Sequence, residues 1–94
     1  MLRLRISDEI AALIRGLHPD LRRKVKGSLR TILNEPYCGK ALRDELAGLR
    51  SLRVSRFRII YRVGKAHEIE IVTIGPRERI YEETYRMIRK ERAK

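Results

Sequence analysis

The chain has 94 residues, which is one domain's worth, residues 1–94, with one thin core and no room for a second. Hydrophobic residues at 43% argue against disorder despite 37% charged residues, and 23 Lys+Arg against 12 Asp+Glu leave a net charge of +11, which points to a polyanion partner. The single Cys38 excludes an internal disulfide and a Cys-built metal site and suits a reducing cytoplasm. No apolar run reaches the ~20 residues of a membrane span, and the N-terminus lacks the apolar stretch of a secretory signal.

Residues 2–6, Leu-Arg-Leu-Arg-Ile, alternate strictly and predict a half-buried strand. Ser7 then caps a helix whose first turn holds Asp8 and Glu9, with Ile10, Leu13, Ile14 and Leu17 at helical spacing. His18-Pro19 breaks it, and Pro19 suits the first turn of a second helix running to Asn34. Leu21, Val25, Leu29, Ile32 and Leu33 form that helix's apolar stripe, while Arg22, Arg23, Lys26 and Arg30 face elsewhere. Glu35-Pro36 ends it, and residues 35–48 read as a loop with at most one helical turn.

Residues 50–63 predict a hairpin turning at Ser55-Arg56, with Leu52 and Val54 on the same face as Phe57, Ile59, Tyr61 and Val63. After a turn at 64–67, Glu68–Ile74 forms a fourth strand, ended by Gly75-Pro76, and residues 77–92 form a charged helical segment. The order predicts an α+β domain: an N-terminal strand, a two-helix hairpin, a three-stranded antiparallel meander completing a four-stranded sheet, and a short C-terminal helix.

The hairpin sets Arg53 and Arg58 opposite one another, on the face away from the apolar stripe. Like charges so placed cost up to about 1 kcal/mol, a cost that an anion between them would relieve. A solvated Arg-rich face is the alternative reading. A second cluster, Gly75-Pro76-Arg77-Glu78-Arg79-Ile80-Tyr81, can project two cations and a phenol over the sheet's open face. Equally, Tyr81 can belong to an apolar helix stripe with Tyr85 and Ile88. His18 and His67 read as surface residues and Cys38 as half-buried packing. No carboxylate pair falls on the cationic face, which argues against metal-dependent phosphodiester chemistry.

Three stretches together resemble the RelE branch of the RelE/ParE toxin superfamily of type II toxin–antitoxin systems. They are Asn34-Glu35-Pro36-Tyr37-Cys38-Gly39-Lys40 with Leu46-Ala47-Gly48-Leu49, then Leu52 to Tyr61, then Ile74 to Tyr81. The resemblance covers nearly the full length and implies a RelE-like fold. It also implies a ribosome-dependent mRNA endoribonuclease (an mRNA interferase) that inhibits translation without a cofactor or metal. Its partners would be a cognate acidic antitoxin, the ribosome and mRNA, with operator DNA bound only by the toxin–antitoxin complex, and no membrane.

Carried over by position, the resemblance makes Arg53, Arg58, Arg77 and Tyr81 the catalytic set, and it leaves Tyr85 as an alternative to Tyr81. A further second-strand Lys of some nuclease members falls on Ser51 here, with Arg50 adjacent. Arg50, Arg56, Arg79, Arg22, Arg23, Lys26 and Arg30 are the candidate RNA- or ribosome-binding cations. In the implied reaction a ribose 2′-OH attacks the neighbouring phosphate. The arginines would stabilise the phosphorane, and Tyr81 would take the proton, since Arg stays protonated in proteins. Two rival readings stand beside this one: a ParE-like inhibitor of DNA gyrase that cuts nothing, and a plain nucleic-acid-binding module.

Overall fold

The computed structural model describes residues 2–92. Strand β1 (Arg3–Ile6) is followed by helices α1 (Asp8–Arg15) and α2 (Pro19–Asn34). Next come a two-residue strand β2 (Lys40–Ala41), a 3₁₀ turn at Asp44–Leu46, strands β3 (Arg50–Val54), β4 (Phe57–Val63) and β5 (Glu68–Pro76), and helix α3 (Ile80–Arg92). The sheet has five strands in the order β1-β5-β4-β3-β2, with β1 parallel to β5 and the other pairs antiparallel.

The helix boundaries follow from local chemistry. The Ser7 hydroxyl accepts a hydrogen bond from the Ile10 N–H at 3.1 Å, which caps α1. Pro19 opens α2, and the ring of His18 accepts from the Asp20 N–H at 3.2 Å. Both helices lie on one sheet face. Ile10, Ile14, Val25, Leu29 and Ile32 pack there against Val54, Ile59, Tyr61, Ile69, Ile71 and Ile74.

Three expectations about the sheet need correction. The sheet has five strands and not four, because Lys40 and Ala41 pair with Ser51 and Arg50; two residues are too few to show a period. β5 continues through Gly75 and Pro76, which pair with Arg58 and Phe57, so the Gly-Pro pair closes the strand from within. The sheet's second face is also not open. Helix α3 covers part of it, and Ile80, Tyr81 and Ile88 pack with Leu49, Ile60, Leu42, Leu46 and Val72 in a second small core. The contact is close: a Cβ on Gly75 would lie 2.8 Å from Ile80 Cδ1.

The segment between α2 and β2 is fastened to the main core by one side chain. The buried Tyr61 hydroxyl donates to the Pro36 carbonyl at 2.8 Å and accepts from the Gly39 N–H at 2.9 Å. Burial pushes this phenol above the usual tyrosine range, against the opposing pull of the Gly39 N–H. Gly39 is required by contact, since a Cβ there would meet the Tyr61 hydroxyl at 2.6 Å. Cys38, expected to be half-buried, is exposed, with its sulfur 3.9 Å from the same hydroxyl.

Candidate functional site

The register Leu52↔Ile59, Arg53↔Arg58, Val54↔Phe57 sets the two arginines opposite one another, on the sheet face away from α1 and α2. The hairpin turns at Ser55-Arg56, with Ser55 in the left-handed region at φ 58°. Arg53 is exposed, and its Nε donates to the Ser55 carbonyl at 3.3 Å. Arg58 is half-buried. Its Nη1 donates to Ser51 Oγ at 3.1 Å, its guanidinium carbon lies 5.8 Å from the centre of the Tyr81 ring, and its buried Nε has no hydrogen-bond partner.

Tyr81, in the first turn of α3, combines both roles considered for it. Its ring packs in the second core, and its hydroxyl donates to Ser51 Oγ at 3.3 Å. Tyr85 takes no part in this cluster; it is exposed and lies under Arg89, 5.7 Å from ring centre to guanidinium carbon. Ser51, buried on β3, therefore holds the arginine and the phenol together by accepting from both. Sequence reasoning treats Ser51 only as the absence of a lysine. Its bridging role follows from a strand register and a helix placement that no local pattern carries.

Arg77 follows β5 directly and is exposed. Its backbone N–H donates to the Arg56 carbonyl at 2.8 Å, which ties the start of the α3 connection to the hairpin tip. Arg53, Arg56, Arg58 and Arg77 are thus gathered at one end of β3, β4 and β5. Among the described residues none of them pairs with a carboxylate; the ion pairs lie on β1 and β5, at the start of α2, between Arg62 and Glu70, and along α3. Arg79 belongs to the last group, 3.9 Å from Glu83.

The other candidate cations lie apart. Arg50 is on the opposite sheet face from Ser51, since residues alternate along β3. Its Nη1 donates to the Gly39 carbonyl at 2.7 Å, and its guanidinium stacks on Tyr37 at 4.9 Å. Arg22, Arg23, Lys26 and Arg30 are on α2, across the sheet from Arg58; Arg22 donates to the Arg15 carbonyl and Arg23 pairs with Asp20. Beside Tyr81 lies a cavity of about 610 Å³, lined by Lys40, Ala41, Leu42, Arg43, Asp44 and Leu46. Among the described residues no three His, Cys, Asp or Glu side chains converge as metal ligands, and no helix is long and apolar enough to cross a membrane.

A helix-backed, largely antiparallel sheet carrying an unpaired arginine cluster and one phenol defines a small, strongly basic α+β protein. The comparisons with known proteins place it more narrowly. Residues 3–81 match the family described as the ParE toxin of type II toxin–antitoxin systems. The chain belongs to this family, within the RelE/ParE toxin superfamily. Its structure is similar to the RelBE2 toxin–antitoxin complex of Mycobacterium tuberculosis, with 28% identity and a TM-score of 0.69 over 81% of this chain and 98% of that one. It is similar in fold to a free arginine-to-alanine double mutant of Escherichia coli RelE (22% identity, TM-score 0.72, 93% and 97% covered). The same holds for the archaeal RelE–RelB complex of Pyrococcus horikoshii (22%, 0.68, 83% and 97%). No curated protein matches the chain.

Proposed function

We propose that this toxin is a ribosome-dependent mRNA endoribonuclease of the RelE type, acting in the cytoplasm and held inactive by an acidic antitoxin. The observation that carries the reading is the Ser51–Arg58–Tyr81 cluster, with Arg53 across the strand pair and Arg77 at the strand end, all without carboxylate partners. The Arg58 guanidinium is half-buried and pairs with no carboxylate, so its outward-facing N–H donors favour an anion, and a phosphodiester fits its fork.

In this reading Arg58 and Arg77 stabilise the charge that develops on the phosphorane as the 2′-oxygen attacks, and Arg53 helps hold the strand. Tyr81, once its own phenol proton has been lost to solvent, takes the 2′-OH proton as the phenolate, and the 5′-oxygen leaves with a proton from the medium or a neighbouring group, giving a 2′,3′-cyclic phosphate and a free 5′-OH. Near the arginine cluster few aromatic side chains are free to stack a run of bases, and Tyr85 lies apart under Arg89. Tyr61 is buried, Phe57 is half-buried against the helices, and Tyr37 is occupied by Arg50. Presentation of the RNA by the ribosome would therefore supply the positioning. The antitoxin complexes among its structural relatives support a cognate antitoxin here, and operator binding would belong to the complex.

The matched family favours a second reading, a ParE-type inhibitor of DNA gyrase in which the same cations bind a protein target and cut nothing. Induced expression followed by mapping of mRNA 5′ ends separates the two. Cuts within translated codons support the nuclease; intact mRNA with arrested DNA replication supports gyrase inhibition.

A further inference from the structure

The short strand β2 has a consequence for the site. Lys40 is paired directly with Ser51, and directly opposed residues of an antiparallel pair project their side chains from the same face. Lys40 therefore stands on the face that carries Ser51, Arg53 and Arg58, one strand beyond Ser51. Arg50, the neighbour of Ser51 in sequence, is on the other face and occupied by Gly39 and Tyr37. Lys40 is exposed and, among the described residues, has no ion-pair partner. It also lines, with Arg43 and Tyr81, the cavity of about 610 Å³ that adjoins the Ser51–Arg58–Tyr81 cluster. That volume falls within the range of sites for small organic ligands. Its lining combines two cations, one carboxylate (Asp44), the apolar Leu42 and Leu46, and the Tyr81 side chain. Such a lining suits a single nucleotide, with the base or sugar against the leucines and its phosphate toward Lys40.

We infer that Lys40 is a substrate-contacting residue: it binds the phosphodiester next to the scissile one and seats that nucleotide in the cavity beside Tyr81. This cation reaches the site from an edge strand, where the β3 position itself is the neutral Ser51. The inference rests on the nuclease reading for its consequence in catalysis, but the anion contact is measurable without any cleavage.

The test uses the full chain with Lys40→Gln, Lys40→Arg and, as a control in the distant 64–67 turn, Lys65→Gln. β2 pairs through its backbone, so these variants should unfold in urea at the wild-type midpoint. Two readouts are taken: cleavage of mRNA on programmed ribosomes, and binding of a short RNA carrying 2′-deoxyribose at the cut position, titrated with salt. Lys40→Gln should lower kcat/KM on the order of 10–100-fold, the scale of one charge-assisted contact. It should also flatten the slope of log K against log salt by about 0.7, one phosphate's share for a single strand. Lys40→Arg should restore most of both, and Lys65→Gln should change neither. Wild-type cleavage and an unaltered salt slope in Lys40→Gln would overturn the inference while leaving the nuclease reading intact. If the wild-type chain cuts nothing, the nuclease reading fails, and the slope alone then decides: reduced, it upholds the anion contact; unchanged, it removes it.

Discussion

Replacing Arg58 with Met keeps an unbranched stem out to about the position of Nε and removes the rest of the guanidinium with its charge, and the structure gives terms of both signs. In favour of the variant, the buried Nε has no partner, a defect worth about 1–3 kcal/mol, and the Arg53↔Arg58 repulsion is worth roughly 0.2–1 kcal/mol. Against it, the variant loses the Nη1–Ser51 hydrogen bond, about 1.5–3 kcal/mol for a charged donor, and the contact with the Tyr81 ring, about 0.5–1 kcal/mol. The two groups nearly cancel. Urea denaturation followed by circular dichroism should show stability within about 1 kcal/mol of wild type, with an unchanged m-value. Activity should fall far more, on the order of 10²–10³-fold, as for the loss of a group that binds transition-state charge. A fall in stability of 3 kcal/mol or more would mean that Arg58 is a structural keystone, and full activity would mean that the cluster is not the site. Either result refutes the reasoning.

Three further perturbations test neighbouring parts of the argument. Tyr61→Phe leaves the Pro36 carbonyl and Gly39 N–H without their partner and should cost about 2–3 kcal/mol in urea denaturation. Burial holds the Tyr61 phenol neutral in the folded state, so its contribution is complete below about pH 10 and is lost as the pH rises through the raised folded value. The gap between wild type and Tyr61→Phe should therefore narrow above about pH 10, and a gap that widens there would contradict the assignment. Ser51→Ala removes the acceptor shared by Arg58 and Tyr81 and should cost about 1–2 kcal/mol, besides lowering activity; a silent substitution in both assays would remove Ser51 from the site. Tyr81→Phe should abolish cleavage with little change in stability, since the ring still packs, whereas Tyr85→Phe should remain active. The reverse pattern would move the proton acceptor one turn along α3.

Much of the fold was legible because it is written in local patterns. The alternation over 50–63, the Ser7 cap and the Pro19 start each follow from a few adjacent residues, and the Arg53–Arg58 pairing follows from the length of the turn between them. What escaped depends on contacts distant in sequence. Strand β2 exists because residues 36–39 are fastened by Tyr61, more than twenty residues away, and a two-residue strand has no period to detect. The partial cover over the second sheet face was hidden for a related reason. From sequence the stripe reads as Tyr81, Tyr85 and Ile88; that Ile80, Tyr81 and Ile88 cover the sheet while Tyr85 stays exposed emerges only once Leu49, Ile60 and Val72 are placed beneath them. The candidate site was legible as a list of cations and a phenol. Its assembly through Ser51, and the separation of Arg50 from it, required the faces of the strands.

Carboxylates are spread unevenly over the chain. Glu68, Glu70, Glu82 and Glu83 each pair with an arginine outside the cluster, and among the described residues Arg53, Arg56, Arg58 and Arg77 pair with no carboxylate, although Glu78 follows Arg77 and Glu83 lies beside Gly75. Internal partners there would stabilise the free chain but would have to be displaced before an anion could bind, so leaving the cluster unpaired makes it available at a cost in self-repulsion. The same unpaired surface is what an acidic antitoxin segment would recognise under the proposed function. Inhibition would then need no allosteric change: a carboxylate-rich segment over Arg53 and Arg58 excludes RNA by occupying its phosphate sites. Encounter between two such surfaces should be fast at low salt and slow as salt screens it, while apolar contacts set the lifetime of the complex. On this view the residues that would make the chain a nuclease are also those that would make it inhibitable.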